Sequence, residues 1–303
     1  MNVLIVGLGS IAQKHINALR KISTAISFFA LRSSTKAVKV DGVSDIYDIS
    51  VIPSLSIDFA IISNPTAFHK QAVSALIPFK IPLFIEKPVF DRLEVAELLQ
   101  EIKKNNIITY VACNLRFLGC LVFLKEFLKG KRINEVNSYC GSYLPDWRPE
   151  KDFRTVYSAN KEMGGGVHID LIHEIDYLYW LFNAPVDVFV TKSNRSSLNI
   201  SAVDYANYIL SYPQYHVSVV LNYYRRDPKR SLEVLLESGT VYVDLLQNTV
   251  TFQNEIIYSS DKSVLDTYED QLTFFTEEIL KNNAKFNTID EAFEVLKLCI
   301  TND

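Results

Sequence analysis

Residues 3–15 read VLIVGLGSIAQKH, an unbroken apolar run, two closely spaced glycines, and then a helical pattern. A strand without polar alternation is buried on both faces, and a helix that follows at once must pack back on the sheet it came from. That unit commits the chain to a parallel sheet with right-handed crossovers. The runs AISFFAL (25–31), IDFAIIS (57–63), IPLFIE (81–86) and ITYVAC (108–113) repeat the strand signal. IAQKHINALRK (11–21), AFHKQAVSAL (67–76) and DRLEVAELLQEIKKN (91–105) lie between them as helices. The first third therefore reads as a doubly wound α/β sheet.

After residue 118 the rhythm changes. A helix over 120–129 and a strand over 133–143 precede a polar loop and the segment GGGVHIDLIHEIDYLYWLFN at 164–183. VDVFVTKS, VDYANYILSY, YHVSVVLNYY, SLEVLLES, TVYVDLLQ and VTFQNEIIY then follow one another with only turns between them. Strands without intervening helices predict a large, mostly antiparallel sheet, and the alternation in YHVSVVLNYY predicts one buried and one more polar face. Helical patterns at 266–282 and 289–301 close the chain. The expected fold is an N-terminal Rossmann domain, 1–118, and a C-terminal α+β domain with an open sheet, 119–303, its closing helices packing back on the first domain.

The 31 basic and 35 acidic residues leave a formal charge of −4, which offers no electrostatic footprint for nucleic acid or an anionic membrane. No apolar run is long enough to span a bilayer. With a first strand starting almost at Met1, no signal peptide is expected before it, and Cys113, Cys120, Cys140 and Cys299 lack CxxC spacing. Reduced thiols in a cytoplasmic protein are the expectation.

In the first turn, Gly7 permits the tight bend and Gly9 a close backbone approach, while Ala12 allows tight helix–strand packing. Together with Ser10 and Ile11 they form a dinucleotide pyrophosphate site at a helix N-terminus. The alternative is an ordinary glycine-rich turn. Cofactor choice depends on the end of the second strand, FALRSSTK. Arg32, Ser33 and Ser34 stand where a carboxylate would hold the ribose diol of NAD, with Lys36 close by. A guanidinium flanked by hydroxyls suits a 2′-phosphate, so NADP(H) is favoured over NAD(H).

SNPTAFH (63–69), EKP (86–88), CNLRF (113–117) and the glycine-led D..H..D segment, in this order after GLGSIA, resemble the Gfo/Idh/MocA family of oxidoreductases, grouped with glucose–fructose oxidoreductase and inositol 2-dehydrogenase. The stretch 143–182 is similar to a bacterial branch associated with surface-polysaccharide and acidic-sugar pathways. Asp170 and His173 depart from the commoner family spacing, being three apart with no glycine between them. The resemblance implies a nicotinamide-dependent dehydrogenase or reductase acting on sugars, sugar acids or sugar nucleotides. It also implies a homodimer or homotetramer built through the C-terminal sheet. Two alternatives stand beside it: a cofactor-binding regulatory protein without turnover, and an enzyme that recycles a tightly held cofactor.

On this reading Asn64, Pro65, Thr66 and Glu86 line the cofactor, and His69 either reaches its ribose or phosphate or lies on a helix surface. Lys87 contacts the cofactor and stabilises charge on the reacting oxygen. On an uninterrupted helix Asp170, His173, Asp176 and Tyr177 share an arc opposite Leu171, Ile175 and Leu178. His173 is the expected general acid/base, because imidazole titrates near neutrality. Asp170 orients the imidazole or substrate hydroxyls, and Asp176 is a further hydroxyl partner. Trp147, Arg148 and Arg154, with Lys161 nearby, suit a sugar ring carrying a carboxylate or phosphate, and Asn114 is a possible ligand contact. A zinc site at His168, Asp170 and His173 lacks enough imidazole or thiolate donors, so no metal is expected.

Overall fold

The computed structural model describes residues 1–301. The chain forms two compact units: Met1–Cys113 with Tyr268–Glu294, and Asn114–Thr267 with the chain from Val295 on.

In the first unit the strand–helix alternation gives β1 (Asn2–Val6), α1 (Ser10–Ile22), β2 (Ser27–Leu31), β3 (Val43–Ile46), β4 (Phe59–Ile62), α2 (His69–Leu76), β5 (Leu83–Ile85), α3 (Ala96–Lys104) and β6 (Thr109–Val111). The strands pair in parallel in the order β3-β2-β1-β4-β5-β6. From β1 the chain winds outward to β3 and then crosses back to β4, so the order reverses between β1 and β4. Ligands of open α/β sheets bind at such a switch point, beyond the carboxyl ends of the strands. The apolar runs are buried on both faces, with Val3–Ile5, Phe59–Ile62 and Leu83–Ile85 all fully covered. Helix α1 buries Ala12, His15, Ile16 and Leu19, one stripe at helical spacing. Phe275, from the closing part of the unit, sets its ring among Phe59, Phe84 and Tyr110 at centroid distances of 5.0, 5.2 and 5.6 Å.

The second unit contains α4 (Gly119–Phe127), β7 (Ile133–Tyr143), α5 (Val167–Asp170), α6 (Ile172–Phe182), β8 (Asp187–Ser193), β9 (Tyr205–Ser211), β10 (His216–Asn222), β11 (Tyr224–Leu236), β12 (Gly239–Asp244), β13 (Thr249–Phe252) and β14 (Glu255–Ser259). The sheet runs β14-β13-β12-β11-β7-β10-β9-β8, parallel between β7 and β10 and antiparallel elsewhere. Register carries the period of two across it. Leu210, Val217, Val136, Val234 and Val241 align on the covered face and are fully buried. One residue along, Phe189, Ile209, Ser218, Asn137, Glu233 and Tyr242 align on the open face, where Phe189 is 60% exposed. Helix α4 packs on β12–β14 and α5 on β9 and β10. The chain closes with α7 (Thr267–Phe274), a wider turn over Phe275–Ile279, and α8 (Ile289–Cys299).

Four expectations are corrected. Residues 43–46 form a strand that no apolar run announced. VTFQNEIIY is a hairpin, turning at Gln253 and Asn254 with φ of +50° and +70°. The helix expected over 91–105 begins only at Ala96. The helix of the GGG segment breaks at Leu171 (φ −97°, ψ 26°) into α5 and α6.

Candidate functional site

At the end of β1, Gly7 has φ of +94°, and a Cβ there would lie 2.2 Å from the backbone nitrogen of Asn64. The turn thus passes directly over the end of β4, and the Ser63 hydroxyl ties the two by donating to Gly7 O at 2.9 Å. A Cβ on Gly9 would meet nothing within 4 Å, so the turn is open on its outer side. Gly9 is also the N-cap of α1, and no side chain caps the helix there. The first N–H groups of α1, from Ser10 and Ile11 on, therefore have no intrahelical acceptor and point outward. Beside them, Asn64 Oδ1 is buried with no hydrogen-bond partner. A narrow glycine cradle, an uncapped helix and an unsatisfied buried acceptor together fit a dinucleotide.

Around this turn two sequence expectations change. His69 neither reaches outward nor lies on a helix surface. It is 1% exposed, with Nε2 2.9 Å from Asn64 O and Nδ1 3.2 Å from Val89 O. Burial holds its pKa below the usual value, so the neutral ring has a single N–H to give and donates to one of these two carbonyls, packed between the Asn64 turn and the chain beyond EKP. Glu86 is buried too, with Oε1 2.5 Å from His15 Nε2 on α1 and Oε2 accepting the Lys87 N–H at 3.2 Å. Its carboxylate anchors the turn rather than lining a cofactor. Lys87 is half-buried just beyond β5, before a cis peptide to Pro88. Pro65 is exposed and Thr66 half-buried at the rim.

Beyond β2, Ser33, Ser34 and Lys36 are exposed. Arg32 is folded back: Nη2 donates to Val38 O at 3.1 Å, and Nε lies 3.6 Å from Asp45 Oδ1 on β3.

In the second unit, Gly165 lets the backbone pass where a Cβ would sit 2.0 Å from Tyr157 O. The close pass leads into α5, which ends with Asp170. Asp170 Oδ2 accepts a 2.5 Å hydrogen bond from the hydroxyl of Tyr223, a fully buried ring. Burial and the adjacent carboxylate hold that phenol well above its ordinary pKa, so it remains a donor. Trp147 stands edge-on to Tyr223 at 5.4 Å and donates its indole N–H to Ser142 Oγ at 2.9 Å. The polar loop thereby meets the ring that fixes Asp170. His173, in the first turn of α6, is half-buried like Asp170.

The rest of the expected polar arc is structural. Asp176 is not a hydroxyl partner, because its carboxylate takes both arms of Arg116 at 2.9 and 2.7 Å with both side chains at most 1% exposed. Tyr177 donates to Glu174 Oε2 at 2.7 Å, and Glu174 pairs with Arg230 of β11. Asn114 is buried and gives its amide to Thr267 Oγ1 at 2.7 Å, which makes it a tie within the unit rather than a ligand contact. Arg148 and Arg154 are exposed, and Arg154 lies over the Phe153 ring at 4.5 Å and near Asp152 at 3.8 Å. Sequence reasoning missed Tyr223, Asp45, His15 and the Glu174–Arg230 pair: Tyr223, Asp45 and Arg230 lie in no motif, and the partners of His15 and Glu174 are distant in sequence. No cluster of three or more metal-ligating side chains occurs among the described residues.

A doubly wound sheet with a glycine turn at its switch point, followed by an open sheet carrying a glycine-led Asp/His helix, defines a class of two-part, nucleotide-binding oxidoreductase folds. Within that class the chain belongs to the Gfo/Idh/MocA family. Residues 1–112 match the family's "Oxidoreductase family, NAD-binding Rossmann fold" and residues 122–242 its C-terminal domain. An inositol 2-dehydrogenase of Agrobacterium fabrum is 25% identical over 189 residues, 59% of this chain and 53% of that protein. An uncharacterized oxidoreductase of Streptococcus pneumoniae is 25% identical over 146 residues, 48% of this chain and 39% of that protein. The chain thus aligns with about half or less of these curated relatives. Among solved structures, scyllo-inositol dehydrogenase from Lactobacillus casei, with bound NAD(H) and scyllo-inositol, shares the fold at TM-score 0.80 and 21% identity, covering 99% and 95% of the two chains. UDP-N-acetylglucosamine 3-dehydrogenase from Acidithiobacillus ferrooxidans does so at TM-score 0.80 and 17% identity, with the same coverage.

Proposed function

We propose that this protein is a nicotinamide dinucleotide-dependent dehydrogenase or reductase, acting on a carbinol or carbonyl of a sugar, sugar acid or sugar nucleotide. Its setting is the cytoplasm. The observation that carries the reading is the Asp170–His173 pair. Asp170 closes α5 and His173 stands in the first turn of α6; both are half-buried beyond the glycine-led turn, and Tyr223 holds Asp170 in place, whereas Asp176 and Glu174 face arginines. The uncapped helix beyond Gly7 and Gly9 would hold the cofactor pyrophosphate, with Asn64, Pro65 and Thr66 beside it. A bound nicotinamide supplies or accepts the hydride. His173 exchanges the hydroxyl proton at an imidazole nitrogen. Asp170, locked through Oδ2, orients the substrate hydroxyls or the imidazole. The Lys87 ammonium donates to the reacting oxygen and favours negative charge on it.

Arg32 with Ser33 and Ser34 supports NADP(H) as the preferred cofactor. Trp147, Arg148 and Arg154 support a ring substrate with an acidic substituent, as a surface-polysaccharide pathway would supply. The adjacent Phe189 and Ile209 on the open face support a homodimer or homotetramer. The test is NADPH consumption over a panel of oxidised sugar nucleotides and acidic sugars, with Lys87→Ala and His173→Ala alongside. The reading predicts turnover with at least one class, reduced about 10²–10⁴-fold by His173→Ala while cofactor binding persists. Tight cofactor binding without turnover on any of them would favour a regulatory protein.

A further inference from the structure

The carboxylate missing from the end of β2 is present one strand over. The β2–β3 register places Asp45 beside Ala30 and Ile46 beside Leu31, and the Arg32 N–H continues the ladder to Ile46 O at 2.9 Å. This brings Arg32 Nε to 3.6 Å from Asp45 Oδ1, with the two side chains 11% and 9% exposed. The separation allows ion pairing but exceeds a hydrogen bond. Asp45 Oδ1 and Arg32 Nη1 are correspondingly both buried without hydrogen-bond partners. Buried polar atoms are nearly always satisfied, so the unmatched atoms mark an ion pair whose guanidinium charge is offset by a carboxylate without a full hydrogen bond between them. A hydroxyl brings no charge to this pair. A phosphate brings a second negative charge to a guanidinium already beside a carboxylate.

We propose that Asp45 is a specificity-determining residue, which with Arg32 reads the 2′ position of the adenosine ribose and keeps the preference for NADP(H) over NAD(H) narrow. The inference rests on the glycine turn being the dinucleotide site. In NAD(H) the uncharged 2′-hydroxyl would leave the Arg32–Asp45 pair intact. In NADP(H) the 2′-phosphate takes Arg32 in competition with Asp45.

The test is the ratio of NADPH to NADH affinity, read by nicotinamide fluorescence, for the parent and for Asp45→Asn, which keeps the shape and removes the charge. The expected result is a ratio about tenfold higher in the variant, chiefly through tighter NADPH. A folded Asp45→Asn protein with the parent's ratio overturns the inference. A second measurement needs no variant: displacement of NADPH from the parent by 2′,5′-ADP and by ADP. The inference expects the two to compete within about tenfold of each other, and a preference beyond about a hundredfold for either overturns it. Failure of the parent to bind any of these nucleotides sinks the functional reading itself and this inference with it. Binding with an unchanged ratio sinks only the role of Asp45.

Discussion

Replacing Asp176 with alanine separates a structural carboxylate from a substrate ligand. The Arg116–Asp176 pair is bidentate, and its side chains are 0% and 1% exposed. Removing the carboxylate leaves the guanidinium charged in a site that water does not reach, a change that costs about 3–5 kcal/mol for buried pairs. For a unit of this size each kcal/mol lowers Tm by about 2–4 °C, so a fall of about 10 °C is expected in calorimetry or thermal circular dichroism. Arg116→Leu combined with Asp176→Leu removes both charges, and it should recover most of that loss, since apolar replacement of a buried pair is often near neutral. Cofactor affinity should not change in either variant, because the glycine turn lies in the other unit. If Asp176→Ala kept the parent's Tm but lost substrate affinity, the carboxylate would be a ligand after all, and the assignment to Arg116 would be wrong.

Gly7→Ala places a methyl group 2.2 Å from the Asn64 backbone at φ +94°, so it should abolish nicotinamide nucleotide binding; parent-like fluorescence titration of that variant would refute the cradle. His69 has a folded pKa below its ordinary 6.5, so the unfolded chain takes up more protons below that pH, and the stability from burying the neutral ring is full above it and lost as pH falls through it. The Tm difference between the parent and His69→Gln should therefore shrink on acidification; a difference independent of pH would contradict burial of the neutral ring. All four cysteines are buried, with the Cys120 thiol pushed up to about 12 and Cys140 raised still further by desolvation. Ellman's reagent should react with them only after denaturation, and rapid modification of the native protein would contradict the packing.

The sheet of the first unit was legible because strands buried on both faces leave apolar runs that no surface segment imitates. Strand β3 was not, since VSDI is an edge strand held by backbone pairing to β2 alone. The hairpin inside VTFQNEIIY turns at two residues with left-handed backbone, and neither is a glycine, so the usual turn signal was missing. In the candidate site, helical periodicity found the polar arc but could not say what each group faces. Asp176 and Glu174 meet arginines 60 and 56 residues away, partners that only the tertiary fold supplies. His69 and Glu86 stood in motifs suited to a cofactor, yet their neighbours Asn64, Val89 and His15 claim them first. Asp170 and His173 lie on either side of the break at Leu171, which periodicity could not foresee, and Tyr223 supports Asp170 from a strand end that no motif marks.

Titration of the unmodified protein with NADPH and with NADH, followed by nicotinamide fluorescence, tests the central claim most directly. The account predicts saturable binding of both with NADPH the tighter, and loss of both in Gly7→Ala. Binding of neither by the folded protein would contradict it.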